Sequence, residues 1–459
     1  MDQSIEFDVS LIKRYDRAGP RYTSYPTALE LHEGFGEQDY RKQIEQSNAG
    51  GGPLSLYFHI PFCDTVCYYC ACNKIITKNR KHAEPYLTNL HREIALQAQL
   101  FDSARTVNQL HWGGGTPTFL TAEQMQQLMA VTGQYFSLRN DDQREYSIEI
   151  DPRAVDSKTI PLLRELGFNR LSLGVQDFDP DVQKAVNRIQ SEQQTFTVLN
   201  TAREYGFASI SIDLIYGLPL QTVASFSKTL DKILEVKPDR LSIFNYAHLP
   251  ARFKTQRQIK NDDLPDSKIK LEILQMVILR LQEQGYVYIG MDHFARPDDE
   301  LAVSQRKNKL YRNFQGYSTH SDCDLVGLGI TSIGRVADSY IQNVKDLESY
   351  NSRISKDQLP VFKGLVLTAD DKLRRSVISQ LICHFELNFS DIEQQFKIDF
   401  KQYFSSDLDA LLAMQDDGLV ELSSEKIKVL PVGRLLIRNV CMVFDRYLSQ
   451  KQQQFSKVI

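Results

Sequence analysis

The chain has 459 residues, of which 42% are hydrophobic and 24% are charged, and its formal net charge is −4. This composition is typical of a globular protein with a large core, and it excludes a general basic field for nucleic acid or an anionic membrane. No apolar run approaches the roughly 20 residues of a membrane-spanning helix, and the first six residues lack the pattern of a signal peptide. We therefore expect a cytoplasmic protein with no membrane or nucleic-acid partner.

The N-terminal residues 1–50 are polar, and we expect them to form a loop-rich arm. Two prolines in the segment 19–26 exclude a helix there and favour an extended conformation. This segment either packs its two tyrosines on the body of the protein or forms a flap that carries Arg21 to an anionic ligand. The glycine-rich residues 48–53 are typical of a linker.

Strand-like apolar runs alternate with helical patterns in the next part of the chain. Strands are predicted at 54–60, 107–112, 146–150, 170–175, 209–216, 240–247 and 286–291. Helices are predicted at about 82–101, 121–136, 156–166, 191–205, 222–235 and 266–285. Strands that are apolar on both faces and separated by helices form a parallel sheet, so the fold is α/β, with an open doubly wound sheet or a complete or partial (β/α) barrel.

Polar residues cluster where successive predicted strands end. They are Glu149, Asp151, Gln176, Asp177, Asp213, Asn245 and His248. A (β/α) barrel builds its site from the carboxyl ends of most strands, whereas an open sheet concentrates its ligands at one switch point. The pattern therefore favours a barrel.

Residues 292–365 are irregular and rich in charged and aromatic side chains. The glycine-rich stretch 327–334 lies within them. It predicts either a loop wall that closes the site or a turn in a small added sheet.

The last 90 or so residues resemble a winged-helix module. A helix containing Leu373, a second helix capped by Ser390 and a third at about 401–415 precede a hairpin at 419–430, and a final helix follows Pro431. Four aspartates and no Lys or Arg occur between positions 404 and 417, and such a surface repels phosphate. We therefore favour a lid or structural cap over a DNA-binding domain.

Four of the seven cysteines lie within residues 63–72, directly after the first predicted strand. Without signs of secretion, such closely spaced thiols indicate metal or cluster ligation rather than disulfides. The C-x3-C-x2-C spacing suits three irons of a [4Fe–4S] cube, with the fourth iron bound by Cys72 or left open. Zinc is the alternative, although structural zinc usually takes two separated ligand pairs. The isolated cysteines are expected in the core, and they are Cys323, Cys383 and Cys441.

A second motif, HWGGGTP at 111–117, ends the second predicted strand. Three consecutive glycines there allow the backbone to approach a small ligand closely. The motif lacks the Gly-Lys-Ser/Thr ending of a phosphate-binding loop.

Together, the cysteine loop and the glycine turn resemble the radical S-adenosylmethionine superfamily. Within it, the chain closely resembles the oxygen-independent coproporphyrinogen III oxidase (coproporphyrinogen dehydrogenase) family from residue 19 nearly to the C-terminus. The strings that carry this resemblance are PRYTSYP (20–26), HIPFC (59–63), HWGGGTP (111–117), GVQDF (174–178), DLIYGLP (213–219) and GMDHF (290–294).

The resemblance implies a partial (β/α)6-type radical SAM barrel. The implied domains are an N-terminal arm at 1–50, the barrel at 51–294, a barrel extension closing the site at 295–365, and a mostly helical, winged-helix-like C-terminal domain at 366–459.

The resemblance also implies one [4Fe–4S] cluster held by Cys63, Cys67 and Cys70, with Cys72 off the cluster. Two S-adenosylmethionine molecules are implied. Positions that match the first site are Tyr57, Gly114, Glu149 and Ile333, and positions that match the second are Tyr69, Gly115, Thr116, Gln176, Arg188, Asp213 and Ala247.

The implied activity, in anaerobic haem (porphyrin) biosynthesis, converts two propionates of coproporphyrinogen III to vinyls and yields protoporphyrinogen IX. A reduced flavodoxin or ferredoxin-type protein is the implied electron donor, and a monomer is expected. No residue is assigned a catalytic role. The substrate carries four carboxylates, for which the candidate cations are Arg21, Lys74, Arg296 and Arg312.

Two alternatives to this activity stay open on the sequence. One is the haem-binding chaperone of the same superfamily, which has phenylalanine in place of Cys72 and lacks the arm around Arg21. The other is a zinc-stabilised regulator that binds DNA through the C-terminal module.

Overall fold

The computed structural model describes residues 4–448 and contains two compact units. The barrel unit consists of residues Leu31–Asp266 and Asp322–Val366. The helical unit consists of Met1–Glu30, Ser267–Ser321 and Leu367–Ile459. The last eleven residues of the predicted C-terminal domain, 449–459, lie outside the described part of the chain.

The barrel unit is built around one large sheet. Two short strands of the unit, Phe62–Cys63 and Ile75–Ile76, pair separately from this sheet. The strands of the large sheet in this unit are Leu54–Ile60, Thr106–Gly114, Ser137–Leu138, Glu145–Ile150, Arg170–Gln176, Ser209–Tyr216, Arg240–Asn245, Asp324–Leu328, Ile333–Val336, Ser339–Asn343 and Val361–Val366. Its α-helices are Glu37–Gly50, Ala83–Ala98, Ala122–Tyr135, Thr159–Glu165, Pro180–Ala185, Glu192–Glu204, Val223–Val236 and Leu347–Ile354.

Six parallel strands form the partial barrel, and they follow one another in the sheet in chain order from Leu54–Ile60 to Arg240–Asn245. Six of the seven residues of the first strand are buried, because helices cover the outer face and side chains fill the inner one. Trp112 contacts Phe58 and Phe168 edge-on within this core. The predicted partial (β/α)6 barrel is therefore confirmed.

The glycine-rich stretch 327–334 connects two strands of the same sheet. Asp324–Leu328 pairs in parallel with Leu54–Ile60, and antiparallel strands follow it. The interpretation as a turn between strands is therefore correct, except that these strands extend the large sheet of the barrel unit and do not form a small added sheet. Gly334 lies in the second of these strands. A Cβ added at this position would lie 2.7 Å from the Leu325 carbonyl oxygen, so the close pairing of the strands requires glycine here.

The helical unit combines helices with short hairpins. Its α-helices are Val9–Tyr15, Ser267–Glu283, Glu300–Arg306, Ala369–His384, Phe389–Phe396, Phe400–Tyr403, Ser405–Asp416 and Ile437–Val443. Its strands are Val287–Gly290, His293–Ala295, Tyr311–Asn313, Gly316–Ser318, Glu386–Asn388, Val420–Leu422 and Lys426–Val429. The last helices and the three-stranded sheet at 386–429 match the predicted winged-helix-like arrangement.

The strand predicted at 286–291 is present as Val287–Gly290, but it does not continue the series of parallel barrel strands. The strand Val287–Gly290 pairs antiparallel with His293–Ala295 in a tight hairpin. Gly290, Met291 and Asp292 all have positive φ angles, of 128°, 47° and 72°, which reverse the chain before a crossover helix can begin.

The N-terminal residues contain more helix than predicted. Asp8 accepts hydrogen bonds from the backbone N–H groups of Ser10 and Leu11 and so begins the helix Val9–Tyr15. In Glu37–Gly50, buried Tyr40 and Ile44 are four residues apart, a helical spacing that the many polar residues around them obscure in the sequence. The predicted linker therefore overlaps the end of this helix.

One predicted cap in the C-terminal region is also displaced. The helix that Ser390 was expected to cap begins at Phe389, with Asn388 as its N-cap.

Within the described residues, no helix has both the length and the apolarity needed to cross a bilayer.

Candidate active site

The cysteine loop lies at the carboxyl end of the first barrel strand. Its ends are joined where Phe62–Cys63 pairs in parallel with Ile75–Ile76. The loop is also fixed to the segment after Pro180–Ala185, because the Tyr68 N–H donates to the Val186 carbonyl at 3.0 Å and Asn187 Nδ2 donates to the Val66 carbonyl at 2.7 Å. Residues far away in sequence, 121 positions in the case of Val66 and Asn187, thus hold the loop in place.

Hydrogen-bond donors surround the sulfurs of this loop. Thr116 Oγ1 lies 3.5 Å from Cys63 Sγ, and guanidinium nitrogens of Arg153 and Arg188 each lie 3.5 Å from Cys67 Sγ. Donors of this kind stabilise thiolates, the form in which cysteine binds metal. The three-thiol set with its donors therefore fits an iron–sulfur cluster.

Cys72 differs from the other three cysteines of the loop. It is exposed, and its thiol hydrogen-bonds to Cys70 and lowers the pKa of that thiol. None of the seven cysteines forms a disulfide. The isolated cysteines are buried, as predicted, at positions Cys323, Cys383 and Cys441.

A buried ion-pair network backs the loop. Arg188 Nη1 lies 2.9 Å from the Asp151 carboxylate, which also pairs with Arg153 at 2.7 Å. Burial by itself raises the pKa of Asp151, but the two arginines outweigh burial and lower it. Asp151 therefore stays ionised and orients both guanidiniums toward Cys67.

The glycine turn at 113–115 is packed by the protein itself. A Cβ on Gly113 would lie 2.9 Å from the Glu149 carboxylate, one on Gly114 2.6 Å from the His59 ring, and one on Gly115 2.6 Å from the Phe62 carbonyl oxygen. Gly114 also has a φ of 111°, a region that side chains disfavour. The glycines were expected to admit a ligand. They also allow Glu149, His59 and the backbone of Phe62, next to the cysteine loop, to pack closely against the turn.

Glu149 is the centre of a polar group on this turn. Its carboxylate accepts the Gly114 N–H at 3.0 Å and lies 3.4 Å from His111 Nε2. Burial raises the pKa of Glu149, yet these hydrogen bonds and the histidine charges lower it overall. The Tyr57 ring stacks on His111 at 5.7 Å, and its hydroxyl lies 3.2 Å from His59 Nδ1.

Ile333 lies next to this group. Tyr57 and Gly327 are paired partners in adjacent strands. The Ile333 carbonyl carbon lies 3.1 Å from the position that a Cβ on Gly327 would occupy. The four residues matched to the first S-adenosylmethionine site thus lie together: Tyr57, Gly114, Glu149 and Ile333.

Asp213 occupies the end of a neighbouring strand. It accepts a hydrogen bond from Ser172 Oγ at 2.9 Å, and Ser242 donates a second. Burial raises the pKa of Asp213 to about 6, although these hydrogen bonds oppose the rise. A cationic or hydroxyl-bearing ligand would favour its ionised form.

Gln176 and Arg188 meet at the strand Arg170–Gln176. Gln176 has a φ of 72° after an irregular step in the pairing of this strand, and both side chains lie about 3.0 Å from the position of a Cβ on Gly174. Gln256 connects Tyr69 and Ala247, because its Nε2 donates hydrogen bonds to their carbonyl oxygens at 3.0 and 3.3 Å. Gly115 and Thr116, matched to the same second site, donate their N–H groups to the Ile60 and Phe62 carbonyls.

Some residues of this edge were missed or misjudged from sequence. His59, His111, Arg153 and Gln256 contact the predicted site residues, and the two histidines were within the strings that carried the family resemblance. Asp177, in contrast, is buried and accepts hydrogen bonds from Thr229, Gln221 and the Asp179 N–H, so its role is structural.

The four candidate substrate cations do not form one group. Lys74 belongs to the barrel unit and donates to the carbonyls of Cys70 and Cys72 at 3.0 and 3.4 Å, so it supports the cysteine loop. Arg21, Arg296 and Arg312 belong to the helical unit. There, Arg296 is partly exposed and pairs with Asp298, whose side chain is largely exposed.

A six-stranded parallel partial barrel with a three-cysteine loop after its first strand is the arrangement of the radical SAM class. The family model of the radical SAM superfamily matches residues 57–233, and the model of the HemN C-terminal domain matches residues 367–436.

Curated relatives extend the similarity to the whole chain. An oxygen-independent coproporphyrinogen III oxidase from Pseudomonas aeruginosa is 53% identical over 460 residues, which cover 100% of both chains. A protein of the same name from Escherichia coli K12 is 51% identical and is covered over 99% of its length. The solved structure of "Coproporphyrinogen III oxidase (HemN) from Escherichia coli" superimposes with a TM-score of 0.93 at 50% identity, covering 97% of this chain and 100% of that one. The chain belongs to the oxygen-independent coproporphyrinogen III oxidase family.

Proposed function

We propose that this chain oxidatively decarboxylates two propionates of coproporphyrinogen III to vinyls and so forms protoporphyrinogen IX without oxygen. The observation that carries this proposal is the full-length identity of 53% to a relative of that name, together with the three-thiol loop at the carboxyl edge of the barrel. The haem-binding chaperone is disfavoured because Cys72 and the arm around Arg21 are both present.

One [4Fe–4S] cluster is proposed on Cys63, Cys67 and Cys70. When bound, the cluster and S-adenosylmethionine supply a 5′-deoxyadenosyl radical that removes a hydrogen atom from the substrate. The chain's own contribution is to supply three thiolates and to surround two of them with Thr116, Arg153 and Arg188 donors. The loop that carries these thiols is anchored by its paired ends and by the segment after Pro180–Ala185.

Two S-adenosylmethionine molecules are proposed, held by the two residue groups described above. In the first, the Glu149 carboxylate can accept hydrogen bonds from the hydroxyls or the ammonium of a ligand. The stacked rings of Tyr57 and His111 form an adjacent aromatic wall. In the second, buried Arg188 suits a carboxylate and Asp213 suits a cation. An electron donor of the flavodoxin or ferredoxin type, a monomeric state and a cytoplasmic location complete the proposal.

The experiment that tests the function is anaerobic turnover. Purified, reconstituted protein with coproporphyrinogen III, S-adenosylmethionine and dithionite should yield protoporphyrinogen IX, with two CO2 and two 5′-deoxyadenosine for each product. Formation of 5′-deoxyadenosine without that porphyrin product would retain the radical SAM assignment and reject this substrate. Equilibrium dialysis of labelled S-adenosylmethionine should give two molecules bound for each chain, and one would reject the second site.

A further inference from the structure

The helical unit contains a buried guanidinium that the proposed function has not used. Arg312, on the strand Tyr311–Asn313, is 7% exposed. Among the described residues, its Nε and Nη1 atoms have no hydrogen-bond partner. Its guanidinium carbon lies 4.7 Å from the centre of the Tyr317 ring, which covers one face of the cation. Such a contact leaves the N–H groups in the guanidinium plane available.

An unpaired buried cation is costly, because desolvation of the charge is repaid only by a partner anion. Arginine is always ionised and cannot avoid this cost by losing its proton. The Tyr317 ring offers no acceptor in the plane of the guanidinium. The observation therefore points to an anion that completes the site when it binds.

Two more arginines surround the same place in the helical unit. Arg438 is 3% exposed and donates to the Pro20 carbonyl at 2.9 Å and to the Gly19 carbonyl. Burial, Arg21 and Arg312 lower the pKa of Arg438 to about 10, against the opposing effect of Asp292. Arg21 and Arg312 are thus each close enough to Arg438 to disfavour its charge.

The Asp292 carboxylate is one source of negative charge at this place, and it already has a partner. Asp292 pairs with Arg21 at 3.0 Å, and it is the carboxylate that acts most strongly on Arg438. Burial and Arg312 lower the pKa of His293 to about 4, so this histidine is neutral and contributes no further charge. Asp292 is therefore already engaged by Arg21, whereas the Nε and Nη1 atoms of Arg312 have no hydrogen-bond partner among the described residues.

We propose that Arg312, supported by Arg21 and Arg438, forms a carboxylate-binding site of the helical unit that holds a propionate of the substrate. A guanidinium binds a carboxylate through two parallel N–H···O bonds, which fixes direction as well as charge. The inference rests on the proposed function, since a tetracarboxylate is the substrate there. It assigns the binding role to Arg312 rather than to Arg296 or Lys74, which are used in local contacts.

The test compares full-length wild-type protein with Arg312→Met, which keeps the apolar length of the side chain and removes the charge. Arg306→Met is the matched control, because Arg306 is an exposed arginine of the same unit. Binding of coproporphyrin III, the stable oxidised form, is titrated by fluorescence beside its tetramethyl ester. Inorganic phosphate is added in a further series to test for a general anion site.

Arg312→Met should weaken coproporphyrin III binding about tenfold or more, the loss expected for one charge-assisted pair, and should leave binding of the ester unchanged. KM for coproporphyrinogen III should rise by a similar factor with a smaller effect on kcat. Arg312→Lys should recover part of the affinity. Arg312→Met should also unfold at the same or a higher temperature, because it removes an unpaired buried charge.

Equal loss of acid and ester binding together with a lower unfolding temperature would show a structural role and overturn the inference. Unchanged KM and affinity in Arg312→Met would overturn it as well. Displacement of bound coproporphyrin III by millimolar phosphate would indicate a general anion site and would reject a propionate site. If the wild-type protein itself neither binds nor converts the porphyrinogen, the proposed function fails instead, so the two failures are distinguishable.

Discussion

Arg188 and Asp151 form a buried ion pair, 2.9 Å long, with side chains that are only 7% and 13% exposed. Asp151 directly follows the strand Glu145–Ile150, and Arg188 follows the helix Pro180–Ala185. Because Arg188 also donates to Cys67 Sγ, the pair connects two strand-to-helix connections of the barrel to the cysteine loop. The site is thus held by an electrostatic contact that no single motif contains.

Asp151→Asn should destabilise the protein by about 3 kcal/mol or more, the usual cost of leaving a buried charge unpaired. Both Arg188 and Arg153 lose their carboxylate in this variant. Urea unfolding followed by circular dichroism measures the change. Asp141→Asn, which breaks the surface pair with Arg139, is the control and should have little effect. Equal small effects in both variants would mean that the buried pair is not needed.

Gly114→Ala should impair folding of the glycine turn and reduce S-adenosylmethionine binding, because the new Cβ would lie 2.6 Å from the His59 ring. Gly206→Ala is a matched control: its φ of 71° is also positive, but no atom lies within 4 Å of the added Cβ. Backbone strain alone costs about 1 kcal/mol, so only Gly114→Ala should lose more. Thermal unfolding and equilibrium dialysis provide the readouts. Identical behaviour of the two variants would argue against the close packing of Gly114.

The buried carboxyl group of Glu93 should make the stability of the folded protein depend on pH. Burial raises its pKa to about 7, although hydrogen bonds from Tyr350, the Gly329 N–H and Asn343 oppose the rise. Between an unfolded value near 4.5 and about 7, the native state binds more protons than the unfolded state. Stability should therefore fall as pH rises through this window, by roughly 3 kcal/mol in total.

The test of this effect is the difference in unfolding free energy between Glu93→Gln and wild-type protein from pH 5 to 8.5. The variant cannot titrate, so the difference should move in its favour up to about pH 7 and then level off. The absolute stability of Glu93→Gln is expected to be lower, because an amide N–H₂ faces the donors Tyr350 and Asn343. A pH-independent difference would contradict the raised pKa.

Cys63→Ser, Cys67→Ser and Cys70→Ser should each lose the cluster, and Cys72→Ser should retain it. The reason is that the first three carry the C-x3-C-x2-C spacing, whereas Cys72 is exposed and contacts Cys70. Iron and sulfide analysis and absorbance near 400 nm after anaerobic purification measure the outcome. A colourless Cys72→Ser protein, or zinc in place of iron in the wild-type protein, would contradict this ligand set.

Much of the fold was predictable because the signals are local. The six parallel strands were predicted because each is an apolar run followed by a helical period. The strand at 287–290 was predicted from its apolar run, but its hairpin was not, because the reversal depends on the left-handed angles of Met291 and Asp292. Sequence patterns contain no mark of those angles at residues other than glycine.

The site was predictable only in part. Cysteine spacing and the glycine turn were visible as strings, but the contacts of Arg153 and Arg188 with Cys67 depend on three-dimensional placement across more than 80 residues. The same limit applies to Arg312, which is an ordinary charged residue in the sequence and a buried cation in the fold. Pairing between charged residues that are distant in sequence depends on tertiary packing, and local sequence periodicity does not reveal it.

Transfer of deuterium from the substrate to 5′-deoxyadenosine tests the proposed function most directly. Coproporphyrinogen III deuterated at the β-carbons of its propionates is incubated anaerobically with the reconstituted protein, S-adenosylmethionine and dithionite. Mass spectrometry should show one deuterium in each 5′-deoxyadenosine, with protoporphyrinogen IX formed in step. Unlabelled 5′-deoxyadenosine accompanied by fully deuterated, unconverted porphyrinogen would contradict the proposal.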